Sequence, residues 1–264
     1  MKISALIPAR YDSIRFPGKL MQKLGDKTVI QQTYESVLNS KLFDKVSVVT
    51  DSELIFKHLK ENNLNVLYSK TNHECGTDRI AEFSHKFDSD IIFNVQGDEP
   101  FIDKKGLKAL INIFKNDTKK KIQVASLMTP IIDDKEIFSS NVVKVIVDNN
   151  NFAIYFSRHS IPFNQEKDYS YNYLKHIGVY AFRKNPLKKI GNYGLTKLES
   201  IEKIEAIRFI EMGYRIKMVM TDKTSIGIDT LDDLKEANKL IKGNIIWLQR
   251  RSVKSFLKFL NGKY

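Results

Sequence analysis

Short apolar segments alternate, along the first half of the chain, with longer segments in which apolar residues recur every three or four positions. Short runs rich in Val and Ile are typical of buried strands, and the longer spacing is typical of amphipathic helices. Regular alternation of the two predicts βαβ units and a mainly parallel sheet. The predicted strands are ISALIPA, VSVVTD, NVLYS, DIIFNV and QVASLMTPI, and the predicted helices are TVIQQTYESVLNS, SELIFKHLKENN, TDRIAEFSHKF and KKGLKALINIFKN.

The pattern changes near residue 140. NVVKVIVD and FAIYFSR surround an Asn-rich turn and predict a hairpin, and the strand KHIGVYAFRK follows a polar stretch. We therefore interpret 132–200 as an insertion of antiparallel strands and loops within an α/β core formed by 1–131 and 201–242. In the second part of that core, ESIEKIEAIRFIEMG predicts one helix that stops at Gly213, and YRIKMVMTD predicts a strand. DTLDDLKEANKLIKG predicts a helix capped by Asp229 or Thr230.

Residues 243–264 form a separate basic segment. It contains five cations and no acid, and NIIWLQRRSVKSFLKFL is amphipathic when wound as a helix. Packing on its own domain or on a second subunit is the favoured interpretation, and weak contact with a membrane surface is the alternative.

Composition narrows the classes of protein to which this chain can belong. The apolar runs are too short to cross a bilayer, and we expect no signal peptide at the start. A single cysteine excludes an internal disulfide framework and favours the cytoplasm. The formal net charge of +12 suits a polyanionic partner, which includes nucleic acid, a membrane surface and phosphate-rich small molecules.

The loop after the first predicted strand concentrates positive charge. SALIPARYDSIRFPGKL contains Arg10, Arg15 and Lys19 just past the apolar run. Ligands of α/β sheets lie at the carboxyl ends of the strands, where these cations could hold phosphates. The stretch is neither a Walker A motif nor the dinucleotide G-x-G-x-x-G. A solvated basic loop is the alternative.

Two aspartates follow other predicted strands. Asp98 lies in NVQGDEP and Asp229 in GIDTLDDL. Each alone is equally well explained as an acidic turn or a helix cap. Together with the cationic loop, they predict a magnesium-bridged nucleotide.

Six blocks resemble the 3-deoxy-manno-octulosonate (Kdo) cytidylyltransferase family, also called CMP-Kdo synthetases. They are LIPARYDSIRFPGK, HECGTDRIAE, NVQGDEP, NVVKVIVD…AIYFSR, HIGVYAFR and GIDTLDDL, in the family's order up to about residue 242. The resemblance implies an α/β, Rossmann-like nucleotidyltransferase fold and a homodimer formed through an inserted antiparallel subdomain. It implies the Mg²⁺-dependent reaction of CTP with Kdo to give CMP-Kdo and pyrophosphate, for lipopolysaccharide synthesis in the cytoplasm of a Gram-negative bacterium.

The same resemblance assigns roles to individual residues. Arg10, Lys19 and Asp98 are the implied catalytic residues. The implied nucleotide-binding residues are Arg10, Arg15, Lys19, Gly76, Thr77, Arg79 and Gln96. The implied sugar-acid residues are Gln96, Arg158, His176, Tyr180 and Glu205, and the implied Mg²⁺ ligands are Asp98 and Asp229.

The sequence departs from the family at two positions, Cys75 in HECGTDRIAE and Ala206 in IEKIEAIRF. Ala206 stands where the family has Gln, and Cys75 stands where it has Ser. The missing amide leaves open another sugar acid, such as 8-amino-Kdo or a nonulosonic acid. A nucleic-acid-binding protein is the alternative from another class. It is disfavoured because the strongest cationic cluster is a strand-end loop beside acids rather than a basic face with stacking aromatics.

Overall fold

The computed structural model describes residues 1–13, 15–165, 171–222 and 227–241, so the predicted tail 243–264 lies outside the described residues. The strands are β1 Ile3–Ala9, β2 Lys23–Leu24, β3 Lys27–Thr28, β4 Lys45–Thr50, β5 Val66–Tyr68, β6 Ile91–Asn94, β7 Val124–Pro130, β8 Lys144–Val147, β9 Ala153–Ser157, β10 Leu174–Arg183 and β11 Ile216–Met220. The helices are α1 Val29–Asn39, α2 Glu53–Glu61, α3 Gly76–Phe83, α4 Lys104–Asn116, α5 Asp134–Phe138, α6 Lys184–Gly191, α7 Lys197–Glu202, α8 Glu205–Glu211 and α9 Leu231–Ile241.

The main sheet has the order β11-β7-β10-β6-β1-β4-β5. β1 pairs in parallel with β4 and β6, β4 pairs in parallel with β5, and β11 pairs in parallel with β7. β10 pairs antiparallel with both β6 and β7, between which it lies. The mixed α/β class and the mainly parallel sheet predicted from the sequence are therefore confirmed.

Helices cover both faces of this sheet because strand side chains alternate between them. Ala5 and Ile7 of β1 face one apolar cluster, which also contains the buried residues of α1, α2, α4 and α9. Leu6 of β1 faces the other cluster, which contains those of α3, α6 and α8. A sheet buried on both faces leaves only its strand ends open for a ligand.

The region 132–200 contributes the predicted hairpin. β8 and β9 pair antiparallel, and β8 joins the main sheet through Lys144, which pairs with Lys175 of β10. Since β10 itself lies inside the main sheet, this part of the region continues the core sheet. Among the described residues, no helix is long and apolar enough to cross a membrane.

The helix predicted over ESIEKIEAIRFIEMG is wrong as one element, because the structure forms α7 and α8 with a break between them. Lys203 adopts the left-handed conformation, with φ 54°, and ends α7. Arg158 donates from Nε to the carbonyl of Glu202, at 2.8 Å, and from Nη2 to that of Lys203, at 3.2 Å. Arg158, directly after β9, thus satisfies backbone carbonyls that have no helical partner at the break.

Candidate active site

The loop after β1 turns sharply enough to point Lys19 back towards the sheet. Gly18 has φ +65°, and a Cβ there would lie 3.2 Å from Tyr11 Oη, so glycine relieves both backbone and steric strain. Its amide donates to the carbonyl of Tyr11 at 3.2 Å, which closes the loop. Lys19 then begins a single turn of 3₁₀-helix, and its side chain is only 14% exposed.

Two further loops meet the first one at the same edge of the sheet. A Cβ at Gly97 would lie 2.9 Å from the carbonyl oxygen of Pro8, so only glycine lets the loop after β6 approach the end of β1 this closely. The carbonyl of Asp98 accepts a hydrogen bond from the amide of Ile228 at 2.9 Å. This backbone contact brings the segments of the two predicted metal ligands together.

Lys19 lies between the two predicted metal ligands. Its Nζ donates to Asp98 Oδ2 and, at 2.8 Å, to Asp229 Oδ1. Arg15 Nη2 contacts Asp229 Oδ2 at 3.0 Å. Burial disfavours the Lys19 charge, but the neighbouring carboxylates outweigh it and raise the Lys19 pKa. Burial also opposes the charge of Asp229, yet Lys19 and Arg15 hold the pKa of that carboxyl below its usual range. Lys19 and Asp229 are therefore both charged at neutral pH.

The cap of α9 is Thr230 rather than Asp229. Thr230 Oγ1 accepts from the amide of Asp233 at 3.2 Å, and Asp233 Oδ2 accepts from the amides of Asp229 and Thr230 at 3.0 and 2.8 Å. This reciprocal pair satisfies the start of the helix. The carboxylate of Asp229 is consequently available to the cationic loop, and its explanation as a plain helix cap is excluded.

Asp98 and Asp229 have the chemistry of a Mg²⁺ site completed by substrate. Both carboxylates contact one Lys19 Nζ, so a single cation already lies between them. In the described part of the chain, no group of three or more His, Cys, Asp or Glu side chains is arranged to hold a metal. Mg²⁺ is commonly held by one or two carboxylates together with substrate phosphates, so this donor pair fits the ion.

A second group of predicted residues lies at the start of α3. A Cβ at Gly76 would lie 3.0 Å from the Pro8 ring and 3.4 Å from Gln96 Nε2, so the loops after β1 and β6 touch α3 here. The amide of Thr77 donates to Glu205 Oε2 at 3.2 Å, and its Oγ1 accepts from Asn94 Nδ2 at 3.1 Å. Burial raises the pKa of Glu205 despite its hydrogen bonds from Cys75 and Thr77. Predicted nucleotide and sugar-acid residues are thus in direct contact.

His176 and Tyr180 belong to the same neighbourhood through an irregularity in β10. The pairing of β10 with β7 shifts register between Ile177 and Tyr180. Ser126 Oγ lies within 2.7 Å of the carbonyl of Val179 and 2.8 Å from His176 Nε2. Bulges of this kind redirect side chains beside active sites.

The electrostatics of these two side chains favour binding over proton transfer. The rings of His176 and Tyr180 lie 5.2 Å apart, centroid to centroid. Burial lowers the pKa of His176 to about 3 and raises that of Tyr180. Both groups are therefore neutral at physiological pH, and neither is poised as a base.

Three predicted site residues stand apart from these groups. Arg10 is exposed just beyond β1. Arg79 is 3% exposed, and its Nη2 donates to Asp51 Oδ2 at 2.6 Å, behind the start of α3. The guanidinium of Arg158 donates to the carbonyls of Ser140, Glu202 and Lys203. No hydrogen bond among the described residues joins Arg158 to His176, Tyr180 or Glu205.

Sequence reasoning missed the ion pairs behind Glu205. Arg208 is fully buried and binds both Asp78, in the first turn of α3, and Glu199, in α7. The available signal was an arginine among apolar residues of α8. Ala206, the predicted departure, is also fully buried in the apolar cluster. Burial raises the pKa of the Cys75 thiol, so it is protonated.

Comparisons with known proteins support these observations. The cytidylyltransferase family model matches residues 4–218. The chain is 51% identical over 242 residues to a 3-deoxy-manno-octulosonate cytidylyltransferase from Flavobacterium johnsoniae, covering 92% of this chain and 99% of the relative. It is 50% identical to the protein of the same name from Christiangramia forsetii, covering 91% of this chain and 97% of that one.

Solved structures show the same similarity. The structure of CMP:2-keto-3-deoxy-manno-octonic acid synthetase complexed with CTP matches with a TM-score of 0.83 and 32% identity, covering 92% of this chain and 99% of the other. The 4-diphosphocytidyl-2C-methyl-D-erythritol synthase of Anaerococcus prevotii matches with a TM-score of 0.59 and 20% identity, covering 91% and 98%. The second likeness concerns the fold alone.

Proposed function

The chain belongs to the 3-deoxy-manno-octulosonate cytidylyltransferase family, and on that premise we propose how its residues carry out CMP transfer to Kdo. The anomeric hydroxyl oxygen of Kdo bonds to the α-phosphorus of CTP, while the bond from that phosphorus to the β-phosphate oxygen breaks. The products are CMP-Kdo, pyrophosphate and a proton. The observation that carries the proposal is the meeting of Arg15, Lys19, Asp98 and Asp229 at the carboxyl edge of the sheet.

The cationic loop binds the triphosphate. Lys19 offers a compact charge held at the sheet edge, and the exposed Arg10 and Arg15 can grip phosphate oxygens bidentately. In phosphoryl transfer, most of the catalytic effect comes from positioning and from neutralising charge on the transferred and leaving groups. Lys19 and Arg10 therefore stabilise the departing pyrophosphate, and Arg15 orients the chain of phosphates beside Asp229.

Asp98 and Asp229 are the residues that would hold a Mg²⁺ ion. A bound Mg²⁺ would polarise the α-phosphate and neutralise charge there. Lys19 contacts both carboxylates, so its ammonium supplies a second positive charge at the same edge of the sheet.

The sugar acid lies beside the start of α3. Glu205 can accept hydrogen bonds from the hydroxyl groups of the sugar acid, and Gln96 can accept hydrogen bonds from them or donate to them. His176 and Tyr180 bind as neutral polar groups. Gly76 and Thr77 shape the nucleotide side of the same boundary, and Arg79 supports α3 from behind through its ion pair with Asp51. Arg158 contributes by fixing the α7–α8 junction that precedes Glu205.

A substrate panel tests the proposal. Purified protein is mixed with Mg²⁺, each of the four common nucleoside triphosphates, and Kdo, 8-amino-Kdo or a nonulosonic acid, and pyrophosphate release is followed. We expect release with CTP and Kdo above all other pairs. Preference for 8-amino-Kdo or a nonulosonic acid would show that Kdo is not the natural sugar acid, while the reaction would still be cytidylyl transfer. Release that does not depend on any sugar acid would contradict the proposal.

Two further features belong to the proposed role. We infer a homodimer formed through 132–200, because large apolar side chains there are exposed in the single chain, including Phe138 at 79% and Phe163 at 80%. We also infer a cytoplasmic enzyme of lipopolysaccharide synthesis, since its proposed substrate CTP is a cytoplasmic nucleotide. Binding to nucleic acid has no part in this function.

A further inference from the structure

Arg208 is the centre of a buried ion-pair cluster, the Arg208 cluster, which consists of Arg208, Asp78 and Glu199. Its Nε and Nη2 donate to the two carboxylate oxygens of Glu199 at 2.6 and 2.8 Å. Its Nη1 and Nη2 donate to those of Asp78 at 2.5 and 3.3 Å. The Arg208 side chain has no exposed surface, so it does not touch a substrate.

The cluster connects the elements that meet at the sugar-acid site. Asp78 lies in the first turn of α3, directly after Thr77, and Glu199 lies in α7. Glu205 begins α8 three residues before Arg208, so both side chains lie on one face of that helix. Glu205 accepts from the amide of Thr77 at 3.2 Å. Two adjacent contacts thus join α8 to α3: the hydrogen bond that Glu205 accepts from Thr77, and the bidentate ion pair of Arg208 with Asp78.

Charge explains why an arginine stands there. The carboxylates of Asp78 and Glu199 are almost buried, at 11% and 4% exposed, and both face the Arg208 guanidinium. Removing one partner of a buried pair leaves charge uncompensated and is strongly unfavourable. The planar guanidinium can bind two carboxylates bidentately at once, which an ammonium group cannot do.

We propose that Arg208 is a positioning residue for sugar-acid binding, which sets where Glu205 stands by holding α8 against the first turn of α3 through Asp78 and Glu199. The inference rests on the proposed function, in which Glu205 binds the sugar acid. Arg15, Lys19, Asp98 and Asp229 lie in other loops, so the groups that bind the phosphates do not depend on this cluster. On the nucleotide side, Gly76 and Thr77 at the start of α3 adjoin Asp78, so a smaller effect is expected there.

The test compares Arg208→Met and Arg208→Lys with Arg183→Met. Arg183 is a matched control because it is also largely buried and pairs with Asp117 at 2.9 Å, at the end of β10 that lies away from His176. Steady-state pyrophosphate release gives kcat and separate KM values for Kdo and CTP, and thermal melting reports folding.

We expect Arg208→Met to raise the KM for Kdo about tenfold, because small displacements of binding groups are costly, and to change the KM for CTP by less than about threefold. The KM of Arg208→Lys for Kdo should fall between those of wild type and Arg208→Met, because lysine keeps the positive charge but cannot bind a carboxylate bidentately. Arg183→Met should leave both KM values within about twofold of wild type. If Arg208→Met does not fold, Glu199→Gln keeps the side-chain shape and should raise the KM for Kdo about threefold.

Two results would overturn the proposal: an unchanged KM for Kdo in folded Arg208→Met and Glu199→Gln, or equal increases in both KM values, which would indicate a purely structural role. Failure of the proposed function is seen separately, as wild-type protein that does not use Kdo. The comparison then runs with whichever acid of the panel the wild type uses, and use of none of them would refute the positioning role as well.

Discussion

Lys19 Nζ lies 2.8 Å from Asp229 Oδ1, although 210 residues separate them in the chain. The same nitrogen also binds Asp98, so one ammonium group neutralises carboxylates from two loops. Such a group competes with any divalent cation for those oxygens.

The first prediction concerns metal affinity. Lys19→Met removes the charge between the two carboxylates, so Mn²⁺ should bind the nucleotide-free variant about tenfold more tightly than wild type, which corresponds to about 1.4 kcal/mol. Titration of Mn²⁺ followed by electron paramagnetic resonance measures this. Lys27→Met is the control, because it removes a lysine paired with Glu35 at 2.5 Å outside the site. Equal affinities in all three proteins would mean that Lys19 does not compete for a metal site.

The second prediction concerns the carboxylates. Asp98→Asn and Asp229→Asn keep the side-chain shape and remove one charge each, so the Mg²⁺ concentration for half-maximal pyrophosphate release should rise about tenfold or more. Asp233→Asn is not a suitable control because Asp233 accepts the backbone hydrogen bonds of Asp229 and Thr230 at the start of α9. Asp232 is exposed and pairs with Lys235. Asp232→Asn should leave the Mg²⁺ requirement unchanged. If Asp98→Asn needs the same Mg²⁺ concentration as wild type, Asp98 is not a ligand of the metal.

The sequence pattern predicts the individual strands of this structure but not the order in which they pair. Apolar periodicity located the strands of the first half, and strands that end at one edge bring Asp98 and Asp229 together. Periodicity does not encode the order of strands in a sheet, so it could not reveal that β10 lies antiparallel between β6 and β7. It could not reveal the bulge near His176 either.

The α7–α8 break and the Arg208 cluster were not predicted from the sequence, for a related reason. The helical pattern of ESIEKIEAIRFIEMG continues through Lys203, but the carbonyls there bind Arg158 from a distant strand. The position of Arg208 among apolar residues of α8 hints at burial, but the sequence does not show that Asp78 and Glu199 are its partners. Both features depend on contacts between residues far apart in the chain, which no local pattern contains.

The third prediction concerns pH. Burial lowers the pKa of folded His176 to about 3, well below the ordinary histidine pKa of about 6.5. The unfolded chain therefore binds more protons between these values, and the free energy of unfolding falls as pH drops from about 6.5, by up to about 1.4 kcal/mol per pH unit. His176→Asn should reduce this slope in urea unfolding between pH 6.5 and 4.5. His85 is exposed, so His85→Asn should keep the wild-type slope. An identical slope in His176→Asn would show that His176 is not held neutral.

The fourth prediction concerns assembly. Phe138→Lys and Phe163→Lys place charges on the exposed apolar surface of 132–200, and each should convert the proposed dimer into monomer in light scattering after size exclusion. Leu54→Lys changes an equally apolar residue, 52% exposed in α2, and should leave the mass of the assembly unchanged. A wild-type protein that elutes as a monomer would contradict the inferred dimer.

The most direct measurement of the central claim is sugar-acid-dependent pyrophosphate release from CTP by Lys19→Met and Lys27→Met, side by side at saturating substrates and Mg²⁺. The account predicts that Lys19→Met loses about 10²-fold or more in kcat, because a preorganised cation at the developing charge is removed. Lys27→Met should keep wild-type turnover. Melting temperatures verify that both variants are folded. Near-normal turnover by folded Lys19→Met would contradict the claim that this loop and its two aspartates form the catalytic centre.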